Sequence, residues 1–194
     1  MFAKLAAVAV CTSLYALVRY AVFGGVSPIH IPVYLLNKSV SLACVFFLFF
    51  TALGHARSNP EKVSFWGTAV LHSAYLHVML SLALMSKAYY PKFFGADKMN
   101  LTGELTLLFG VAAVYCTWFV RSRRYVFRHR QVFPLLTVFL VMGHLTAMGN
   151  AGWLTVEDWH GGLPPITLIG FVLAAISFIL FFKPKRVSSQ NIHR

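Results

Sequence analysis

Acidic side chains are nearly missing from this sequence. Five Asp and Glu stand against 17 Lys and Arg, and charged residues make up only 11% of the chain, where a soluble domain carries about 25%. Set beside 58% hydrophobic residues and a mean hydropathy of +0.70, so little charge excludes a soluble globular domain. Cysteine is scarce as well. Cys11, Cys44 and Cys116 fall in separate apolar runs with no C-x-x-C pair, which argues against thiol–disulfide chemistry and against covalent c-type haem attachment. Proline is missing from the middle of every apolar run, as expected where lipid cannot replace a lost backbone hydrogen bond. The excess of cations does not indicate nucleic acid, because it is gathered in short loops beside apolar spans, where membrane orientation demands it.

What is present is a set of six apolar segments, at roughly 5–23, 33–54, 63–85, 101–120, 133–150 and 164–182. Each is close to the 20 or so residues that cross a bilayer. The expectation is an all-α integral membrane protein, one transmembrane domain over 1–194 built as a six-transmembrane-helix bundle. The first segment lacks an A-x-A-like cleavage site and carries Arg19 near its far end, so it reads as a retained helix rather than a signal peptide. One side of the membrane collects Lys4, Arg57, Lys62, the basic loop 121–130, Lys183, Lys185, Arg186 and Arg194. By the positive-inside rule both termini are cytoplasmic, and the expected location is a bacterial inner (cell) membrane.

The segment 65–85, FWGTAVLHSAYLHVMLSLALM, holds two imidazoles and no formal charge. Ionisable groups at bilayer depth are costly and mark functional sites. At 1.5 Å per residue His72 lies about 13 Å and His77 about 21 Å along the third helix, and His144 about 16 Å along the fifth. His72 and His77 are about 140° apart around the helix, so they cannot share a face. The His77 face carries Val70, Ser73, Ala74 and Ser81, and Gly143, Ala147 and Gly149 surround His144. Two imidazoles flanked by small residues on separate helices suit the axial ligation of one b-type haem. His77 and His144 are therefore the expected iron ligands, Ser73 and Ser81 border the cofactor, and His72 is the substitute for His77.

Arg19 and Lys38 sit about a turn inside the outer boundary, where the anionic propionates of such a haem would need cationic partners; otherwise they snorkel to the headgroups. Glu104 suits the start of the fourth helix, with a proton relay as the sharper reading. His30, His55, His129, His160 and His193 lie in or beside loops or in the tail and read as solvated. The run RSRRYVFRHR is an orientation signal and an anionic-lipid contact, and a docking site for a redox partner or a flavin phosphate is a further reading. The loops 86–100 and 150–165 are rich in aromatic residues and read as interfacial anchors.

Two stretches carry a likeness to known proteins. Gly67 to His77, G-x9-H within GTAVLHSAYLHVMLS, resembles the third-helix ligand segment of the haem-binding membrane subunit of the periplasmic methionine sulfoxide reductase system. The run NKSVSLACVFFLFFTALG is similar to its second helix. The chain thus resembles the ferric reductase-like transmembrane domain superfamily, which also includes NADPH oxidases and metalloreductases. Members often carry two histidines on the fifth helix; here His129 falls in the basic loop, which favours one haem. No flavin or nicotinamide domain accompanies the helices, so the resemblance implies electrons from a partner protein, a quinol or a loosely bound flavin (FMN).

The expected function is transmembrane electron transfer by haem b, from a cytoplasmic, flavin or quinol donor toward the outer face. The expected partners are membrane lipid, a redox protein or quinone, and a larger membrane complex. Two other readings stand beside it. One is a transporter or proton path through His72, His77, His144 and Glu104. The other is a non-catalytic membrane subunit whose histidines only pack.

Overall fold

In the computed structural model residues 1–27, 29, 31–96, 98–122 and 132–182 are described. His30, most of the basic loop 121–130 with His129, and the tail with Lys183, Lys185, Arg186, His193 and Arg194 lie outside the described residues. The described chain is helical, and its one β feature is an isolated antiparallel bridge between Phe94 and Met99.

Six helices follow one another: α1 (Phe2–Ala16), α2 (Ile31–Ala56), α3 (Pro60–Ala83), α4 (Leu101–Arg121), α5 (Val132–Gly149) and α6 (Ile166–Phe182). Local chemistry sets several of their ends. Asn59 caps α3 by accepting from the Lys62 amide at 3.0 Å, with Pro60 at the first helical position. This begins α3 three residues earlier than the apolar run suggests. Asn100 caps α4 through the Gly103 amide at 3.0 Å. The Pro165 carbonyl takes the first amides of α6, those of Leu168 and Ile169. The first helix is not uniform: after Ala16 it widens into a π-helical turn, Leu17–Val22, that contains Arg19.

Among the described residues five helical stretches are long and apolar enough to cross a membrane: Phe2–Val22, Ile31–Ala56, Leu101–Arg121, Val132–Gly152 and His160–Phe182. The chain is therefore read as an integral membrane protein. α3 matches them in length but not in apolarity, because Glu61, Lys62, the two histidines and three serines dilute it.

α2, α3, α4, α5 and α6 form a closed ring in which each packs on the next and α6 returns to α2, while α1 lies outside against α2. α3 touches α4 much more sparsely than it touches α2. The main core lies in the α2, α3, α5 and α6 part of the ring, around Phe47, Leu48, Ala52, Trp66, Val70, Val138, Ala174 and Phe181. A smaller cluster, Leu84, Tyr90 and Phe93, closes one end.

In the loop between α3 and α4 two aromatic side chains turn inward. Tyr90 and Phe93 stack with centroids 5.4 Å apart and are buried, Phe93 completely. Gly103 makes this possible: a Cβ there would stand 2.9 Å from Phe93 and 2.6 Å from Met99. The loop before α6 is held by its tryptophans, with Trp153 Nε1 donating to Thr167 Oγ1 at 3.0 Å and Trp159 Nε1 to the Gly152 carbonyl at 3.1 Å. Gly161, at φ 61°, turns this loop against the Phe23 ring.

Candidate functional site

Inside the five-helix ring lies a cavity of about 1260 Å³ of empty space, mouth included, with Ile166 and Thr167 of α6 in its wall. The wall is apolar apart from a few groups: His77 on α3, His144 on α5, Asn37 and Lys38 on α2, and scattered hydroxyls.

His77 and His144 lie six and five residues before the ends of their helices, so they share a depth. Their ring centroids are 6.1 Å apart and the ring planes are nearly perpendicular, at 86°. Both rings are anchored at Nδ1. His144 Nδ1 lies 2.8 Å from the Thr106 carbonyl of α4. A carbonyl can only accept, so Nδ1 carries the proton, and the neutral ring keeps its lone pair on Nε2. His77 Nδ1 lies 2.6 Å from Asn37 Oδ1, which also accepts from Ser81 Oγ at 3.3 Å, while Asn37 Nδ2 donates to Tyr90 Oη at 3.1 Å. With its amide oriented this way Asn37 presents an acceptor, and His77 too keeps its lone pair on Nε2. Among the described residues neither Nε2 makes a hydrogen bond. Burial holds the Tyr90 phenol above its ordinary value, only partly offset by the bond to Asn37, so it stays neutral.

A glycine on α4 sets the His144 geometry. A Cβ on Gly110 would stand 3.0 Å from His144 Nδ1 and 3.3 Å from Cε1. A side chain at 110 would crowd the ring where it reaches the carbonyl one turn earlier, and the ring would have to give by a few tenths of an ångström. The glycines singled out in the sequence have other work. The open side of Gly143 is filled by the Phe109 ring at 3.2 Å, and that of Gly149 by Thr167. They bring helices together, as small residues do in membranes, and do not line the cavity.

No family model and no curated protein matches this chain. The chemistry therefore has to be read from the site itself.

A metal ion placed between the two rings would have His77 and His144 as its protein ligands. Imidazole nitrogens bind first-row metals at about 2 Å, and the ring centre lies about 1 Å behind the nitrogen, so ring centres about 6 Å apart leave space for one metal ion. Hydrogen bonds from the non-ligating nitrogens to a carbonyl and an amide oxygen are the usual supports of metal-binding histidines. Among the described residues no three His, Cys, Asp or Glu side chains gather as for a metal ion. Two imidazoles alone would then hold the metal, so its remaining ligands must come with it. Any such ligands would have to occupy the apolar cavity that both rings line.

Other expected residues divide. Among the described residues Lys38 is the only Lys, Arg, Asp or Glu in the cavity wall. Its ammonium sits 5.9, 5.1 and 5.3 Å from the ring centres of Tyr20, Tyr34 and Tyr90. Ser81 also lines the cavity. His72 is exposed on the outer side of α3 and does not reach the cavity, so it cannot substitute for His77 there. Ser73 turns back to the Ala69 carbonyl at 2.7 Å and does not line the cavity. Arg19 is buried but lies elsewhere, donating to the Leu163 carbonyl and facing its neighbour Tyr20 at 5.4 Å. With Tyr15, whose hydroxyl donates to the Pro164 carbonyl at 2.6 Å, it ties α1 to the loop before α6. Glu104 and His160 are exposed.

Asn37, Thr106, Gly110 and Tyr90 belong to the site and carry no motif that announces it. A polar Asn inside the first turns of an apolar run was the one legible signal, since an unpartnered amide is costly in lipid.

Proposed function

We propose that the chain is a haem b-binding electron-transfer protein of the membrane, resembling the ferric reductase-like transmembrane domains. In this reading α3 crosses the bilayer with the five more apolar helices, giving six spans with both termini on the cytoplasmic side of a bacterial inner membrane. Electrons pass from a cytoplasmic, flavin or quinol donor toward the outer face. The observation that carries the proposal is the pair His77 and His144, which line one apolar cavity with ring centroids 6.1 Å apart and with Nδ1 of each hydrogen-bonded to a partner on a neighbouring helix.

Within it, His77 and His144 hold the iron. Asn37 and Thr106 fix the tautomer that leaves Nε2 as the donor atom and raise ligand basicity through their hydrogen bonds. Lys38 offers a positive charge to one anionic arm of the porphyrin, and its desolvation is eased by three tyrosine faces. The apolar wall excludes water. A bound iron porphyrin supplies a one-electron ferric/ferrous couple, tuned by these ligands and by burial.

The test is a dithionite-reduced minus oxidised spectrum of the protein purified after expression with haem available. A Soret band with a sharp α-band is expected. A protein that folds and takes up no haem, on purification or on titration with hemin, overturns the reading in favour of a transport or assembly role.

A further inference from the structure

Among the described residues that line the large cavity, two also stand exposed on the outside of the molecule: Leu82 of α3, at 51%, and Val111 of α4, at 49%. A wall residue bared to both sides marks the mouth, so the cavity opens between α3 and α4. Val78 of α3 and Val114 of α4 continue this edge and are half-buried. Elsewhere the wall is closed by buried side chains, among them Tyr90 and Phe93 at one end and Leu48 and Val70 toward the other.

The packing of the helices lets this mouth widen. α2 with α3, and α4 with α5, make the two most extensive helix contacts, and α6 packs on α2 and on α5 to hold both pairs. Across the seam between α3 and α4 contact is sparse. The described residues show one hydrogen bond between these two helices, from Arg121 Nη2 to Thr68 Oγ1 at 2.8 Å. Parting α3 from α4 therefore costs that bond and little apolar contact.

The edges of the mouth are apolar, and with α3 and α4 both spanning the bilayer it opens on acyl chains and not on water. We infer that the large cavity is loaded from the side: a flat ligand dissolved in the lipid enters between Leu82 and Val111, and the bond from Arg121 to Thr68 latches the seam. This rests on the reading of α3 as a span. It does not depend on which ligand the cavity holds.

Cys44 lines the cavity and reports on entry. The experiment uses the full chain carrying Cys11→Ala and Cys116→Ala, in nanodiscs. It follows alkylation of Cys44 by lipid-soluble N-(1-pyrenyl)maleimide and by a membrane-impermeant sulfonated maleimide. Labelling by the pyrenyl reagent alone is expected. Val111→Trp and Leu82→Trp, which narrow the mouth, should each slow it severalfold. Thr68→Val, which releases the latch, should speed it about fivefold, the scale of one hydrogen bond. Equal labelling by the sulfonated reagent overturns the inference and the α3 span with it. No labelling by the pyrenyl reagent in the folded protein, or a rate that neither tryptophan changes, overturns the inference and leaves the six spans standing. Hemin added first should protect Cys44, and failure of that protection counts against the haem reading while side entry stands.

Discussion

Asn37 accepts from His77 Nδ1 at 2.6 Å and donates to Tyr90 at 3.1 Å, so one buried amide joins a histidine of the cavity to the aromatic loop that closes one end of the bundle. It is 1% exposed, in the N-terminal third of the apolar helix α2. Its cost in lipid is offset only because both ends of the amide are bonded.

Replacing Asn37 therefore reads out its role directly. Asn37→Leu leaves the His77 N–H without an acceptor and should lower stability by about 1–3 kcal/mol, measured by thermal unfolding in detergent. Asn37→Asp keeps an acceptor and, if the carboxylate is charged, makes the ring more electron-rich. In haem-loaded protein the midpoint potential should then fall, measured by redox titration. An unchanged potential would show that this bond does not tune the metal.

The histidines separate cleanly by position. His77→Ala or His144→Ala should abolish the six-coordinate low-spin spectrum, whereas His72→Ala, altering an exposed ring, should retain it. Optical and EPR spectra of the three variants check this, and a wild-type spectrum in either of the first two refutes the ligand assignment.

Gly110 makes room for His144. Gly110→Val should push the ring from the Thr106 carbonyl and lower haem affinity roughly 10- to 100-fold, the range seen when the supports of metal-binding histidines are lost. Gly110→Ala, with its Cβ 3.0 Å from Nδ1, should fall between wild type and valine. Hemin titration of the apoprotein measures both.

Lys38 and Arg19 should behave differently. Lys38→Met is expected to weaken hemin binding while leaving the dimethyl ester of hemin unaffected, since the ester carries no anionic arm. Arg19→Met loosens the tie between α1 and the loop before α6, lowering thermal stability with little change in hemin affinity. Equal effects on hemin and its ester would remove Lys38 from the binding of the charged arm.

The cap of α4 gives a stability prediction independent of any cofactor. Asn100 bonds the Gly103 amide at 3.0 Å and the Lys92 carbonyl at 2.8 Å. Asn100→Ala should cost about 1 kcal/mol, seen as a lower unfolding midpoint.

The sequence by itself determined the membrane character, the helical class and the approximate placement of the helices. These follow from hydropathy and from Pro, Asn and Gly at the ends, which act within a few residues. It also placed His77 and His144 at similar depths, because rise per residue is a local property. The rotation of each helix about its axis is not local. Whether His72 or His77 turns inward depends on α3 packing against α2, and the partners that hold the two rings come from 40 and 38 residues away. The glycine beside His144 is on α4, because side chains meet across helices whose relative height and twist no single segment encodes. Tertiary packing alone decided that Lys38 lines the cavity while Arg19 ties α1 to the loop before α6, and that the aromatic loop folds inward.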